Sequence, residues 1–203
     1  MQYKKEEVRN DILKAAKNEF IDKGYHNTST RKIAKEAGVS VSNIYNYFDS
    51  KDEILKTVLK PLLSKIEWGK SYLNNFDFNT GEIKVNDLKG HQQLIMAAAN
   101  FIDDNRELLE LLLFKTAGSS LESYKQDILD WYANFWFDYI EATGEPIEVN
   151  EHVIRNIAGL WYNLIEEVVK YDIKGKELES LVNDMTIYIF GGWNKLVDWK
   201  KEI

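Results

Sequence analysis

Cysteine is absent from all 203 residues. That excludes disulfides, thiolate catalysis, thiol redox sensing and cysteine-ligated metal at once. There are only two prolines, so little interrupts the long stretches of Leu, Ile, Ala, Glu and Lys, which favour helix. No apolar run approaches the roughly 20 residues needed to span a bilayer. The first residues, Met-Gln-Tyr-Lys-Lys-Glu-Glu-Val, lack an apolar signal segment. These absences predict a soluble cytoplasmic protein with no membrane partner. Histidine is scarce too. His26, His91 and His152 lie far apart, and none belongs to a zinc-binding spacing. No Gly-rich phosphate loop occurs, and the Ser, Thr and Lys candidates for a nucleophile have no visible base partner. The expectation is no enzyme, no metal and no cofactor.

What is present is globular. Hydrophobic residues make up 44% of the chain, enough for a sizeable core. The net charge of −7 is unevenly spread. Residues 1–60 hold 12 Lys or Arg against 9 Asp or Glu, while residues 61–203 hold 14 against 24. An acidic remainder turns a basic N-terminal end toward a polyanion; it also serves plain solubility.

The most informative stretch runs from Thr28 to Lys51. Arg31 to Ala37 reads as a short helix capped by Ser29 or Thr30 and ended by Gly38, where a tight turn calls for positive φ. A second helix restarts after Ser40 and runs to about Phe48. Ala34 is small where two helices cross, and Ile33, Ala37, Val39 and Ile44 close a small core. Length, punctuation and apolar spacing describe a helix-turn-helix. Its second helix carries Ser42, Asn43, Tyr45, Asn46 and Tyr47 outward, groups suited to phosphates and base edges in a major groove.

This stretch resembles the TetR family of transcriptional regulators. Thr28, Ser29, Ile33, Ala34, Ala37 to Ser40, Tyr45, Phe48, Lys51 and Leu55 match the family's shared pattern directly, and Ile44 replaces its usual Leu. Gly24-Tyr25 also fits. With the first helix, the resemblance covers about a quarter of the chain. Ser42, Asn43 and Tyr47 depart from the common Gly, Thr or Ser, and His; all three lie on the expected DNA face, so no operator sequence is carried over. The resemblance implies a ligand-responsive homodimeric repressor. Each head would place Val41 to Tyr47 in a major groove of a near-palindromic operator. Thr30, Arg31, Tyr45 and Lys51 are assigned to phosphates, and Ser42, Asn43, Asn46 and Tyr47 to base edges, with Val41 in the groove. An alternative from another class is a dimeric helical adaptor that binds a protein and reads no DNA.

The remaining pattern is helical. Val8, Ile12, Leu13, Ala16 and Phe20 predict a first helix from Lys5 to Lys23. Ser50-Lys-Asp-Glu opens a helix to about Leu73, which Pro61 either kinks or breaks. Asn74 to Asp87 reads as a loop with room for a hairpin at Thr80-Gly81. Helices then follow over Leu88–Asp104, Arg106–Thr116, Ser120–Ala142, Asn150–Tyr171 and Lys176 to about Trp199. The breaks are at Asp103-Asp104-Asn105, Gly118-Ser119, Thr143 to Pro146 and Asp172 to Gly175. The fold class is all-α, about nine helices, with a head over residues 1–50 and a ligand-binding and dimerisation body over residues 51–203.

All six tryptophans lie beyond residue 60. The Ser120–Ala142 segment is ring-rich on two faces, as suits a helix buried between neighbours. These rings form either plain core or the walls of a small-molecule pocket, the use the resemblance implies. The candidate pocket residues are Phe101, Trp131, Phe135, Asp138 and Trp161. Asp138 either pairs with a cationic ligand, pairs with a Lys, or reaches solvent. The last two helices repeat apolar residues at spacings of three and four over more than one face. Ile157, Gly159, Leu160, Leu164, Met185, Ile189 and Gly192 are the candidate dimer interface. Glycines within helices cost about 1 kcal/mol each relative to Ala, so they suggest close helix approach, either between subunits or within one.

Overall fold

A computed structural model describes residues 2–75, 88–142 and 149–202. It contains eight helices among the described residues and no strand. They are α1 (Gln2–Asn27), α2 (Thr30–Glu36), α3 (Val41–Ile44), α4 (Lys51–Asn74), α5 (Leu88–Phe114), α6 (Tyr124–Ala142), α7 (Glu151–Lys170) and α8 (Gly175–Glu202). None is long and apolar enough to cross a membrane.

The all-α expectation holds, with one helix fewer among the described residues. Asp103-Asp104-Asn105 does not break the chain; α5 runs straight through it. The buried Asn105 amide donates to the Phe101 carbonyl at 2.7 Å, and Asp103 pairs with Arg106 at 2.6 Å. These polar groups are thus bonded along the helix instead of competing with it. Pro61 likewise sits inside α4 without ending it. Gly118 does break the chain, at φ 80°, but α6 starts only at Tyr124. Ser119 and Glu122 hold the intervening turn by bonding its own backbone. The possible hairpin at Thr80-Gly81 and the break at Thr143 to Pro146 lie outside the described residues.

The chain divides into two compact units, residues 1–69 with 107–124, and residues 70–106 with 125–203. In the first, Ile12, Ala16 and Phe20 of α1 are buried with Ile33, Ile44, Phe48, Leu55, Leu59 and Leu111. Gly24 leaves helical geometry at φ 74° and turns the chain toward α2. The Tyr25 N–H there donates to the Lys115 carbonyl at 2.8 Å, and the Lys115 ammonium bonds the Ile21 carbonyl. At the start of α4 the Asp52 carboxylate accepts from the Ser120 N–H at 2.9 Å and the Ser120 hydroxyl at 2.8 Å.

In the second unit Ala133, Ile154 and Trp193 form a core with Trp136, Phe137, Ile140 and Ile157 packed against it. The Arg106 guanidinium donates to the Val168 carbonyl at 2.8 Å and the Ile173 carbonyl at 2.6 Å. It thereby caps the C-terminal end of α7, where Asp172 takes φ 55° to turn into α8.

The Asp52–Ser120 contact gives a pH-dependent prediction. Burial raises the Asp52 carboxyl, but the two Ser120 donors and the Lys56 ammonium outweigh it and hold the pKa below the ordinary carboxylate value. A depressed folded pKa contributes stability above the unfolded value, about 3.9, and that contribution is lost as pH falls through the folded value. Ser120→Ala is expected to cost about 1–2 kcal/mol near neutral pH. In urea titrations its deficit relative to wild type should shrink toward zero below about pH 3. An undiminished deficit in acid would contradict this account.

Candidate nucleic-acid interface

The helix-turn-helix is built from side chains that cap its own backbone. Ser29 accepts from the Lys32 N–H at 3.3 Å and so starts α2. Ala37 ends it, and Gly38 follows at φ 66°, a conformation that penalises any side chain. Ser40 accepts from the Asn43 N–H at 3.2 Å and starts α3. Both hydroxyls satisfy amide donors that the short helices would otherwise leave unpaired. The positive φ at Gly38 and the cap at Ser29 are as the sequence predicts. The second helix is shorter than expected. α3 ends at Ile44, and residues 45–47 continue as a turn, with Asn46 N–H donating to the Asn43 carbonyl and Tyr47 N–H to the Ile44 carbonyl.

Ile33, Ala34 and Ile44 are buried beneath this turn, and Ala37 and Val39 are half-buried. The polar residues point away. Ser42, Tyr45 and Asn46 are exposed, while Val41, Asn43 and Tyr47 are half-buried. The Asn46 amide donates to the Asn43 side-chain oxygen at 3.3 Å, and the Ser40 and Ser42 hydroxyls lie 3.0 Å apart. Arg31 is exposed on α2 and Thr30 is half-buried. Of the nine expected contact residues, Arg31, Ser42, Tyr45 and Asn46 are exposed, and Thr30, Val41, Asn43 and Tyr47 are half-buried.

Lys51 differs from the others in being held within the head. Its ammonium donates to the Tyr25 carbonyl at 2.7 Å and the Thr28 carbonyl at 2.8 Å, and lies 3.9 Å from the centre of the Tyr25 ring. Burial pushes its pKa below the ordinary lysine value. Two of the three donors of this ammonium are thus taken by backbone carbonyls, and it clamps the α1–α2 connection. Sequence reasoning missed it because a lysine on a basic segment signals charge, and its two acceptors are backbone carbonyls more than 20 residues earlier. The buried Thr28 completes the same corner, its hydroxyl reaching the Glu19 and Gly24 carbonyls.

The candidate ligand residues fall less neatly. Trp131 and Phe135 stack at 5.8 Å, and the Lys70 ammonium lies 5.6 Å over Trp131. Phe101 and Trp161 are half-buried. Burial pushes the Tyr132 phenol up to about 12, against the opposing pull of hydrogen bonds with Trp136 and Trp161. Asp138 is exposed, so it is no buried carboxylate among the rings; the flank of the apolar stripe on which it lies opens to solvent. Among the described residues, a small apolar space of about 10 Å³ is lined by Trp136, Ile154, Ile157, Ile189 and Trp193. That is room for about one water. None of the five expected ligand residues lines it. Among the described residues no cluster of His, Asp and Glu could hold a metal ion.

Two of the expected interface residues, Leu164 and Ile189, are buried within the protomer and belong to its core. Ile157, Gly159 and Met185 are half-buried, and Leu160 and Gly192 are exposed. The apolar face left open is instead carried by Val153 and Leu160 on α7 and by Ile187, Tyr188 and Trp199 on α8. Tyr188 is 70% exposed and Trp199 67%.

A helix-turn-helix at the N-terminal end of a chain that is all-α among its described residues is an architecture used by DNA-binding regulators. Residues 12–58 match the model of bacterial regulatory proteins of the tetR family. That match spans the helix-turn-helix head and the helices flanking it, about a quarter of the chain. The transcriptional regulator HbdR of an Aromatoleum species is 45% identical over 62 residues, 30% of this chain and 27% of that protein. The chain spans between about a quarter and just over half the length of the first three curated relatives it matches. The fold reaches further. The fatty acid degradation regulator FadR of Bacillus halodurans aligns with TM-score 0.62 and 20% identity over 91% of this chain and 98% of its own. FadR of Bacillus subtilis, solved in complex with stearoyl-CoA, aligns with TM-score 0.60 and 20% identity over the same shares. At that identity the likeness is one of fold.

The clamp makes a testable claim. Lys51→Met keeps an apolar stem but leaves two carbonyls without their donor, and should cost about 1–3 kcal/mol in chemical denaturation. The same substitution should leave the salt dependence of any DNA binding unchanged, which loss of a phosphate contact would not.

Proposed function

We propose that this chain is a sequence-specific DNA-binding transcriptional regulator, acting in the cytoplasm as a homodimer. In this reading it represses transcription until a small apolar or amphipathic effector releases it from a near-palindromic operator. The observation that carries the reading is the outward set Ser42, Asn43, Tyr45 and Asn46, held on a turn fixed by Ser29, Gly38 and Ser40. Hydroxyls, amides and a phenol together can pair with phosphate oxygens and with base edges in the major groove. The functional division follows the sequence, with residues 1–50 reading DNA and residues 51–203 binding effector and partner.

The dimer is supported by the open apolar face of α7 and α8 and by three glycines. A Cβ added at Gly159, Gly191 or Gly192 would meet nothing within 4 Å in the protomer. Crowding inside one subunit therefore gives no reason for them, and close approach of a partner helix does. The effector reading is supported by the ring cluster of α6. FadR of Bacillus subtilis was solved with stearoyl-CoA, which makes a long-chain acyl thioester the first compound to test. The space of about 10 Å³ beside Trp136 and Trp193 would have to open to admit one there. The effector then acts only through unequal affinity for the open, DNA-free state and the operator-bound state.

Selection from a random duplex library should enrich a near-palindrome with half-sites about one helical turn apart. Arg31→Ala should weaken binding to every sequence and flatten the salt slope by about 0.9 per lost phosphate contact, whereas Asn43→Ala should alter which sites are preferred. Enrichment of no palindrome-like site would falsify the reading. Gly192→Glu should produce monomers or insoluble protein by sedimentation. A wild-type chain that sediments as a stable 23.7 kDa monomer at micromolar concentration would remove the dimer from the account.

A further inference from the structure

The first turns of α1 carry a pair of cations whose placement no motif announces. Lys5 and Arg9 are four residues apart, so they share one face of the helix. That face is turned toward the end of the recognition segment. The Lys5 ammonium lies 5.9 Å over the Tyr47 ring, and the Arg9 guanidinium lies 5.2 Å over the Phe48 ring. Both cations are exposed. Tyr47 is half-buried and Phe48 buried, so the rings are fixed and the cations stand on the solvent side of them.

Their charge is also left over. Lys17, Lys23, Lys56 and Lys115 of the same unit each sit against a carboxylate, Glu107, Asp22, Asp52 and Glu110 respectively. Neither Lys5 nor Arg9 forms an ion pair among the described residues. The exposed Asp49 adjoins this edge in sequence, but it forms no ion pair with either cation. An aromatic face orients a cation without neutralising it, so both remain available to an anion.

We propose that Lys5 and Arg9 extend the nucleic-acid contact from α2 and α3 onto α1, each binding a backbone phosphate beside the groove that Tyr47 faces. This rests on the DNA-binding reading above. It adds a second cationic edge to the head, beside Tyr47 and Phe48 at the end of the recognition segment. Because phosphate contacts fix register without reading bases, the pair supplies affinity and orientation, and sequence preference stays with Asn43 and its neighbours.

The test uses the full-length protein and the duplex site recovered by selection, with binding followed by fluorescence anisotropy across a potassium chloride series. Lys5→Gln and Arg9→Gln should each remove one phosphate contact per head and two per dimer. Each should lower the salt slope by about 1.8. Lys5→Arg should retain the wild-type slope, and Lys176→Gln, an exposed charge at the start of α8, should leave it unchanged. Site preference should be the same for all variants. Unchanged slopes for both Lys5→Gln and Arg9→Gln, with wild type still bound to its site, would overturn this proposal alone. An equal drop for Lys176→Gln would also overturn it, because a general field effect would then suffice. A wild-type protein that binds no duplex takes down the regulator reading and this proposal together.

Discussion

An ammonium without a carboxylate partner holds the corner on which the head depends. Lys51, at the start of α4, grips the carbonyls of Tyr25 and Thr28 and lies over the Tyr25 ring. Those carbonyls belong to the connection between α1 and α2, where Gly24 has left helical geometry. A connection of this kind carries backbone acceptors that no helix satisfies. One lysine supplies the missing donors, and Thr28 secures the same corner from within through Glu19 and Gly24. With the entry to α2 fixed, Ser29, Gly38 and Ser40 set the next two turns by local bonding alone. Helices of seven and four residues are too short to hold themselves in water. Their geometry is imposed by caps, by a positive φ and by the small core of Ile33, Ala34 and Ile44.

This explains which parts were legible in the sequence. Caps and glycine turns act over three or four residues, so Ser29-Thr-Arg-Lys and Ala37-Gly38-Val39-Ser40 can be read directly. Lys51 could not be read that way, because its partners come from a distant segment and are main-chain atoms. Asp103-Asp104-Asn105 looked like a break because such residues compete with helix when unpaired; here Asn105 and Asp103 bond within α5. On α7 and α8 the period of three and four located apolar faces but could not tell which one the protomer itself covers. Leu164 and Ile189 went inward, while Leu160, Tyr188 and Trp199 stayed open. Asp138 shows the same limit: its place beside an apolar stripe did not decide its exposure.

The body differs in kind from the head. Its helices are long, and its stability rests on apolar packing around Ala133, Ile154 and Trp193 with few polar interruptions. Arg106 is one such interruption, spending its donors on the Val168 and Ile173 carbonyls. Packing this close leaves about 10 Å³ beside Trp136 and Trp193. In the proposed reading an effector that entered beside Trp136 and Trp193 would have to rearrange those rings.

The central claim is that the polar face of the recognition segment enters the major groove. Methylation protection on a selected operator tests it most directly, because dimethyl sulfate modifies guanine N7, which faces that groove. The account predicts two protected patches centred about 10 base pairs apart, one per head, and both lost in an Asn43→Ala, Arg31→Ala double variant. Guanine N7 that remains fully reactive under saturating protein would contradict it.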